Sequence, residues 1–178
     1  MTGTFRGALE KVGGIAVTCS GPEEVIGYLA ARVRGSLLLP SCLNLQRLDF
    51  AARLRAAGVA VVDTDFRRHA PDAAAGLTGA DFAIAATGTV VLESTAEAVR
   101  LASTLPPVHF VILDPRKIVA DSAAAVPLLR SFHQSLPQAF LAYITGPSRT
   151  ADIERVLTIG VHGPKELHVL LCAGVADE

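Results

Sequence analysis

The sequence predicts an α/β fold in which helices cover a parallel or mixed sheet. Short apolar runs alternate with amphipathic patterns of helical spacing along most of the 178 residues. Several runs are apolar on both faces and rich in Val and Ile, which is typical of strands buried between layers of helices. The length fits one domain, so we expect a single domain over residues 1–178 that begins with a short N-terminal arm over 1–12.

The first part of the chain is predicted as βαβαβ. The run Gly14–Cys19 is a strand, and Ser20 is expected to cap the helix that follows, with Pro22 in its first turn. The next elements are a strand, an amphipathic helix and a strand, over residues 36–40, about 44–57 and 59–63. Residues 64–79 carry turn residues and charges of both signs, so we assign them to a loop with room for one short helix.

The second half contains two strand-like runs that lie close together within residues 80–95. Only Thr87-Gly88-Thr89 separates them, which is too short for a crossover helix, so they form either a hairpin or one strand kinked at Gly88. The remaining predicted elements are a strand, a helix, a strand, a helix and a strand, over residues 108–113, 121–131, 139–145, 150–159 and 166–172.

Composition narrows the function classes. The 16 basic and 17 acidic residues are scattered along the chain, which disfavours nucleic-acid binding through a basic face. No apolar stretch approaches the roughly 18 residues of a membrane span, and the N-terminus lacks the apolar core of a signal peptide, so we expect a cytoplasmic protein. Cys19, Cys42 and Cys172 match neither a metal site nor a disulfide framework, and we expect this chain to bind no iron-sulfur cluster or metal.

The segment ITGPSRTADIE, over residues 144–154, predicts a strand, a turn and a helix with Thr150 as its N-cap. Helix N-termini attract anions, and an arginine can bind a carboxylate or phosphate through two parallel hydrogen bonds. Ser148, Arg149 and Thr150 are therefore candidate anion-binding residues. The alternative is that Arg149 pairs with an acid of the following helix, such as Asp152, and that Ser148 only shapes the turn.

Polar residues in the hairpin region are further candidates. Thr87-Gly88-Thr89 offers hydroxyl groups where a glycine lets a ligand approach the backbone, although a simple kink explains the same pattern. Glu93 interrupts an otherwise apolar strand, so its carboxylate is paired, exposed or shifted in pKa. Arg100 or Arg116 is the expected partner if the role of Glu93 is structural.

Two histidines lie near the C-terminus of the chain. His162 stands between turn residues and is a candidate acid or base, with a plain turn histidine as the alternative. His168 lies inside the last predicted strand and is expected to be a core or sheet-surface histidine. Neither has the spacing of a metal site, and no GxSxG, P-loop, GxGxxG or HExxH motif occurs.

Three stretches, ADFAIAATGTVVLES, RLASTLPPVHFVIL and TGPSRTADIERVLTIGVHGPKELHVLL, resemble the lactate utilization C family in their sequence and order. This family is also called LutC/YkgG and defines the LUD domain. The resemblance implies a three-layer α/β/α sandwich with a mixed, mostly parallel sheet, similar to the NagB/RpiA/CoA-transferase group. The positions that match the family motifs are Thr87, Gly88, Glu93, Ser94, Ser148, Arg149, Thr150, Asp152, His162 and Gly163.

The resemblance also implies a role as a non-redox subunit of a system that oxidises L-lactate to pyruvate. In that system, iron-sulfur partner proteins would carry the clusters. We hypothesise that Arg149 anchors a small carboxylate, that Thr87, Gly88 and Thr89 form the facing wall, and that His162 or Glu93 acts as base. Ser94 is a further candidate residue for binding the substrate or anion. Two other interpretations stay open. One is a free-standing CoA-transferase-like or sugar-phosphate enzyme with Glu93 as nucleophile, and the other is a non-catalytic regulatory module that binds small anions.

Overall fold

The computed structural model describes residues 1–41, 45, 49–136, 138–150 and 158–175. Within these ranges the α-helices are α1 (Thr2–Lys11), α2 (Pro22–Arg32), α3 (Phe50–Ala56), α4 (Phe66–His69), α5 (Glu97–Thr104) and α6 (Ser122–Ser135). The strands are β1 (Ile15–Cys19), β2 (Ser36–Leu38), β3 (Ala60–Val62), β4 (Ala75–Gly79), β5 (Phe82–Ile84), β6 (Thr89–Glu93), β7 (Val108–Leu113), β8 (Ile118–Val119), β9 (Leu141–Ile144), β10 (Arg149–Thr150), β11 (Thr158–Ile159) and β12 (Glu166–Cys172). Short 3₁₀ helices lie at Ala70–Asp72 and Pro115–Lys117.

The main sheet has the strand order β1-β12-β7-β4-β2-β3, and each pair of neighbours is parallel. The prediction of a mostly parallel sheet is therefore confirmed. Because the strands are parallel, their carboxyl ends share one edge of the sheet and their amino ends share the other. We call these the carboxyl edge and the amino edge.

A smaller sheet with the order β8-β5-β6-β9 contains the antiparallel pairs β5–β6 and β6–β9 and the parallel pair β5–β8. Phe82 pairs with Val91 and Ile84 with Thr89, so residues 80–95 form a hairpin and the kinked-strand alternative is wrong. Gly88 lies in the connecting turn with φ of 66°, a left-handed conformation that glycine adopts without strain. Antiparallel pairing is thus separate from the main sheet.

Helices cover both faces of the main sheet, which confirms the predicted α/β fold class. One face packs against α2 and α3, with buried Leu29, Phe50, Leu54, Leu77, Phe110 and Leu170. The other packs against α1, α5 and the smaller sheet, with buried Phe5, Leu9, Leu92, Val99, Val111 and Val169. Helix α6 covers the outer side of the smaller sheet, where Phe132 stacks on Phe82. Within the described ranges, no helix has both the length and the apolar character needed to cross a membrane.

Strand β4 lies in the segment that the sequence assigned to a loop, and this part of the prediction is wrong. All five of its residues are buried, and β4 pairs with both β2 and β7 in the middle of the main sheet. A Cβ at Gly76 would stand 2.7 Å from the carbonyl carbon of Ala102 in α5, so the glycine lets this helix lie directly on the strand. Glycine is depleted in strands, and two glycines in AGLTG hide the strand pattern.

The predicted helix over 150–159 is wrong at both of its described ends. Thr150 pairs with Thr158 and Arg149 with Ile159 in the antiparallel β10–β11 pair. Residues 151–157, which include Asp152, lie outside the described residues. Thr150 therefore lies in a short strand, and its predicted role as a helix cap depends on residues outside the described ranges.

The other predicted helices are confirmed with changes at their ends. Gly21 is the N-cap of α2, while Ser20 donates from both its amide and its hydroxyl to Glu24, so the predicted capping role of Ser20 is wrong. Helix α6 begins after Asp121, whose carboxylate accepts from the amide of Ala124 at 2.9 Å. Helix α3 occupies the later part of the predicted 44–57 segment, and residues 42–44 and 46–48 lie outside the described residues.

Candidate functional site

A cavity of about 420 Å³ opens at the amino edge of the main sheet. It lies between the end of α5, strand β9 with the loop that follows it, and the loop that precedes β12. We call it the amino-edge cavity. Its polar side chains belong to Ser103, Thr104, His109, Tyr143, Thr145, Ser148 and His162. The cavity therefore collects two of the predicted site residues, Ser148 and His162, together with side chains that the sequence did not single out.

Backbone hydrogen bonds join the segments that carry Ser148 and His162 into one wall. The amide of Ser148 donates to the carbonyl of Pro164 at 2.9 Å, and the amide of Gly160 donates to the carbonyl of Ser148 at 2.8 Å. A Cβ at Gly163 would lie 3.0 Å from the Cβ of Ser148, so the missing side chain permits this close approach. The TGPSRT and GVHGP motifs thus form a single structural unit.

A chain of threonine hydroxyls connects the hairpin turn to the cavity. Thr87 and Thr89 lie 2.6 Å apart at their Oγ1 atoms, and Thr89 contacts Thr145 at 2.8 Å. Thr145 lines the cavity directly. Two hydroxyls predicted from the sequence therefore reach the site through Thr145, which ends a predicted strand and was not itself a candidate.

Helix α1 occupies the space next to Gly88 and Arg149. Gly88 packs on the backbone of Leu9, where a Cβ would come within 2.6 Å of the Leu9 Cα. The guanidinium of Arg149 donates to the carbonyl oxygen of Val12 at the end of α1. Gly88 and Arg149 thus contact the end of α1 in this structure, and the hypothesised wall and anchor of an anion site stay predictions.

His109 is the cavity residue with the most unusual environment. Its side chain is fully buried, and its Nε2 lies 2.9 Å from the Oγ1 of Thr78. Among the described residues its Nδ1 has no hydrogen-bond partner. Burial lowers the pKa of His109 to about 3, so the imidazole is neutral near pH 7. A lone histidine inside VHFVIL resembles a core residue in sequence. The only sign in the sequence that could have indicated a functional residue is the polar side chain within an apolar strand.

The family model of the LUD domain matches residues 4–172. The chain belongs to the LUD domain family. It is 42% identical over 97 residues to an uncharacterized protein of Neisseria meningitidis serogroup B, covering 54% of this chain and 41% of that protein. It is 31% identical over 140 residues to Lactate utilization protein C of Anoxybacillus flavithermus, covering 76% and 62% of the two chains. With Lactate utilization protein C of Bacillus subtilis the identity is 36% over 107 residues, covering 58% and 44%.

The aligned regions span between 41% and 62% of the length of these three relatives. Among solved structures, a DUF162 family protein from Deinococcus radiodurans superposes with a TM-score of 0.68 at 20% identity, covering 96% of this chain and 95% of that one. At this identity the likeness shows a shared fold. The residues matched by the LUD domain model include all the residues that line the amino-edge cavity.

The LUD domain places Glu93 away from His162. Glu93 lies four residues along β6 from Thr89, roughly 13 Å at the rise of a strand. It lines a different cavity of about 370 Å³ near the carboxyl edge, together with Gly79 and Asp81. The two predicted acid-base candidates therefore belong to separate sites.

Contacts around Glu93 differ from those expected. Its amide donates to the Oδ2 of Asp81 at 2.6 Å, and its carboxylate accepts from the amide of Thr95 at 2.8 Å. Burial, as the largest cause, raises the pKa of Asp81. The predicted partners have other contacts, since Arg100 donates to the carbonyl oxygen of Ser94 and Arg116 forms a salt bridge of 3.0 Å with the Asp114 carboxylate.

Ser94 is a structural residue of the LUD domain in this arrangement. Its side chain is buried, and its hydroxyl donates to the carbonyl of Phe140 at 2.8 Å. Its amide donates to the same carbonyl at 2.7 Å. Ser94 therefore fixes the start of β9 against the end of β6, away from the amino-edge cavity.

Proposed function

We propose that this protein is a non-redox subunit of a system that oxidises L-lactate to pyruvate together with iron-sulfur proteins, and that its amino-edge cavity binds the small carboxylate. The observation that carries the proposal is the convergence of Ser148, His162 and Gly163 on one cavity. These residues come from the motif that is similar to the LutC/YkgG family. Relatives named Lactate utilization protein C support the lactate assignment.

The chemistry of the cavity suits a small carboxylate. The hydroxyls of Thr145 and Ser148 are hydrogen-bond donors of the kind that carboxylate oxygens accept. His162 is exposed at the wall shared with a neighbouring cavity, which is also lined by Lys165. The positive charge of the Lys165 side chain attracts an anion to this edge of the sheet.

The carboxyl edge is electrostatically less suitable for an anion. Asp81 and Glu93 both line the cavity there, and a bound carboxylate would add a third acidic group to the same space. Like charges at close range disfavour ionisation and binding. This contrast favours the amino edge as the place where lactate binds.

In the proposed reaction the chain holds and orients the substrate. Oxidation of L-lactate to pyruvate removes two electrons and two protons. In this chain His162 takes the proton of the 2-hydroxyl group as general base. The iron-sulfur partner proteins would supply the acceptors for the two electrons and for the proton released from C2.

An assay of L-lactate oxidation with an artificial electron acceptor tests the proposal. The two purified iron-sulfur partner proteins are measured with and without this chain, and then with the variants His162→Ala and His133→Ala. His133 is exposed on α6 and serves as a matched control. We expect oxidation to require the chain, to fall about 100-fold with His162→Ala because a general base is lost, and to be unchanged with His133→Ala. Equal oxidation by the partners without this chain would refute the subunit role.

A further inference from the structure

His109 is the most buried of the polar residues that line the amino-edge cavity, and its Nδ1 has no hydrogen-bond partner among the described residues. His109 is the second residue of β7, and its side chain has no exposed surface. The Thr78 hydroxyl contacts Nε2 and thereby fixes the orientation of the ring. Among the described residues nothing pairs with Nδ1, and His109 is one of the residues that line the cavity.

A buried nitrogen without a partner is unusual in a folded protein. More than about 90% of buried polar groups form hydrogen bonds, and an unmet one costs about 1–3 kcal/mol. A neutral imidazole offers either a lone pair or an N–H at Nδ1, depending on which atom donates between Nε2 and Thr78. It can bond a hydroxyl or a carbonyl oxygen, but it supplies no charge to hold a carboxylate.

We infer that Nδ1 of His109 recognises the oxygen on C2 of the bound acid, which makes the cavity selective for 2-hydroxy and 2-oxo acids over unsubstituted short-chain acids. The inference rests on the proposed function and adds the substrate class of the same site. The hydroxyls of Thr145 and Ser148 hold the carboxylate at the open side of the cavity. The C2 oxygen bonds to Nδ1 of His109, where exclusion of water strengthens a hydrogen bond, and its own proton is the one that His162 takes.

This arrangement produces selectivity through a penalty as well as an attraction. An acid without the C2 oxygen fills the same space but leaves Nδ1 unpaired. Sites that are built to hydrogen-bond a substrate oxygen discriminate strongly against analogues that lack it. Leu167, the register partner of His109 in β12, also lines the cavity.

NMR titrations with L-lactate, pyruvate and propionate at pH 7 test the inference. The wild-type protein is expected to bind lactate and pyruvate about tenfold or more tightly than propionate, as one hydrogen bond supplies. In His109→Phe the three affinities should become equal within about twofold, since the aromatic ring remains but the nitrogen is gone. Ser148→Ala is the matched variant, and it should weaken all three acids while keeping their ratio.

The ¹⁵N resonance of Nδ1 in the wild-type protein gives a second readout that does not depend on any variant folding. Lactate should shift this resonance, and propionate should not. Three results would each overturn the inference. The wild-type protein could bind the three acids equally, or bind none of them measurably. Lactate could also leave the Nδ1 resonance unmoved because Nδ1 bonds an internal water. Lactate oxidation that depends on the chain, combined with equal affinities or an unmoved Nδ1 resonance, would leave the proposed function standing and reject the role of His109 alone.

Discussion

His109 differs from the other side chains of the amino-edge cavity because it is both fully buried and uncharged near pH 7. Ser148 and His162 lie nearer the solvent, on loops tied together by backbone hydrogen bonds. The site therefore has a polar, solvated side that suits a carboxylate and an inner side that suits a neutral oxygen. At the scale of single residues, this division is the main chemical feature of the protein.

The buried state of His109 predicts a measurable dependence of stability on pH. The unfolded chain takes up a proton at this residue near pH 6.5, whereas the folded protein resists protonation until about pH 3. The stabilising contribution is thus fully present above pH 6.5 and is lost as the pH falls toward 3, by about 1.4 kcal/mol per pH unit. Urea unfolding between pH 4 and 7 measures it.

The variant His109→Gln removes this titration while keeping a polar side chain opposite Thr78. We expect the free energy of unfolding of the wild-type protein to fall more steeply below pH 6.5 than that of the variant. Parallel curves for the two proteins over this range would show that the imidazole titrates alike in the folded and unfolded states, contrary to the observed burial.

The predictability of individual site residues depends on what marks them in the sequence. Ser148 and His162 stand in turns rich in Gly and Pro, which reveals a loop and a possible site. Glu93 was visible as a charge in an apolar strand, but its distance from His162 follows from the direction of β6. The unpaired nitrogen of His109 depends on which atoms surround the ring, and no local pattern contains that information.

Packing of α5 on β4 shows how a single glycine positions an element. Gly76 lies in the centre of the main sheet and faces the backbone of Ala102 in α5. Gly76→Ala should reduce the free energy of unfolding by about 2 kcal/mol or more, because the helix or the strand must shift to admit the methyl group. The measurement is chemical denaturation of the purified variant.

Gly27 in α2 provides the matched control. A Cβ there meets no atom within 4 Å, and the position is exposed in the interior of the helix. Gly27→Ala should therefore stabilise the protein by about 0.5–1 kcal/mol. If Gly76→Ala did not lower the free energy of unfolding relative to Gly27→Ala, the close packing of α5 on β4 would be contradicted.

Elements with strong periodic patterns were predictable, and elements shaped by close backbone contact were not. Strands β7 and β12 match their predicted bounds, and the hairpin of β5 and β6 follows from the short connection. Strand β4 was not predicted, because the glycine that allows α5 to pack closely also weakens the strand pattern of the sequence. The role of α1 was also not predicted. The burial of Phe5 and Leu9 and the contact of Val12 with Arg149 depend on residues far away in the sequence.

At the scale of the whole molecule, the two edges of the main sheet have different chemistry. Open parallel sheets commonly bind ligands at the carboxyl edge. Here the two acids Asp81 and Glu93 line the cavity at that edge, while hydroxyls and histidines line the cavity at the amino edge. The fold class was predictable from the alternation of patterns, but the choice of edge depends on how loops from distant parts of the chain meet.

The most direct test of this account is an amide NMR map of the protein titrated with L-lactate. We predict shifts that concentrate at Thr145, Ser148 and Gly163 in the amino-edge cavity, with the amides of Asp81 and Glu93 unchanged. Shifts confined to Asp81 and Glu93 would place the carboxylate at the carboxyl edge and contradict the central claim.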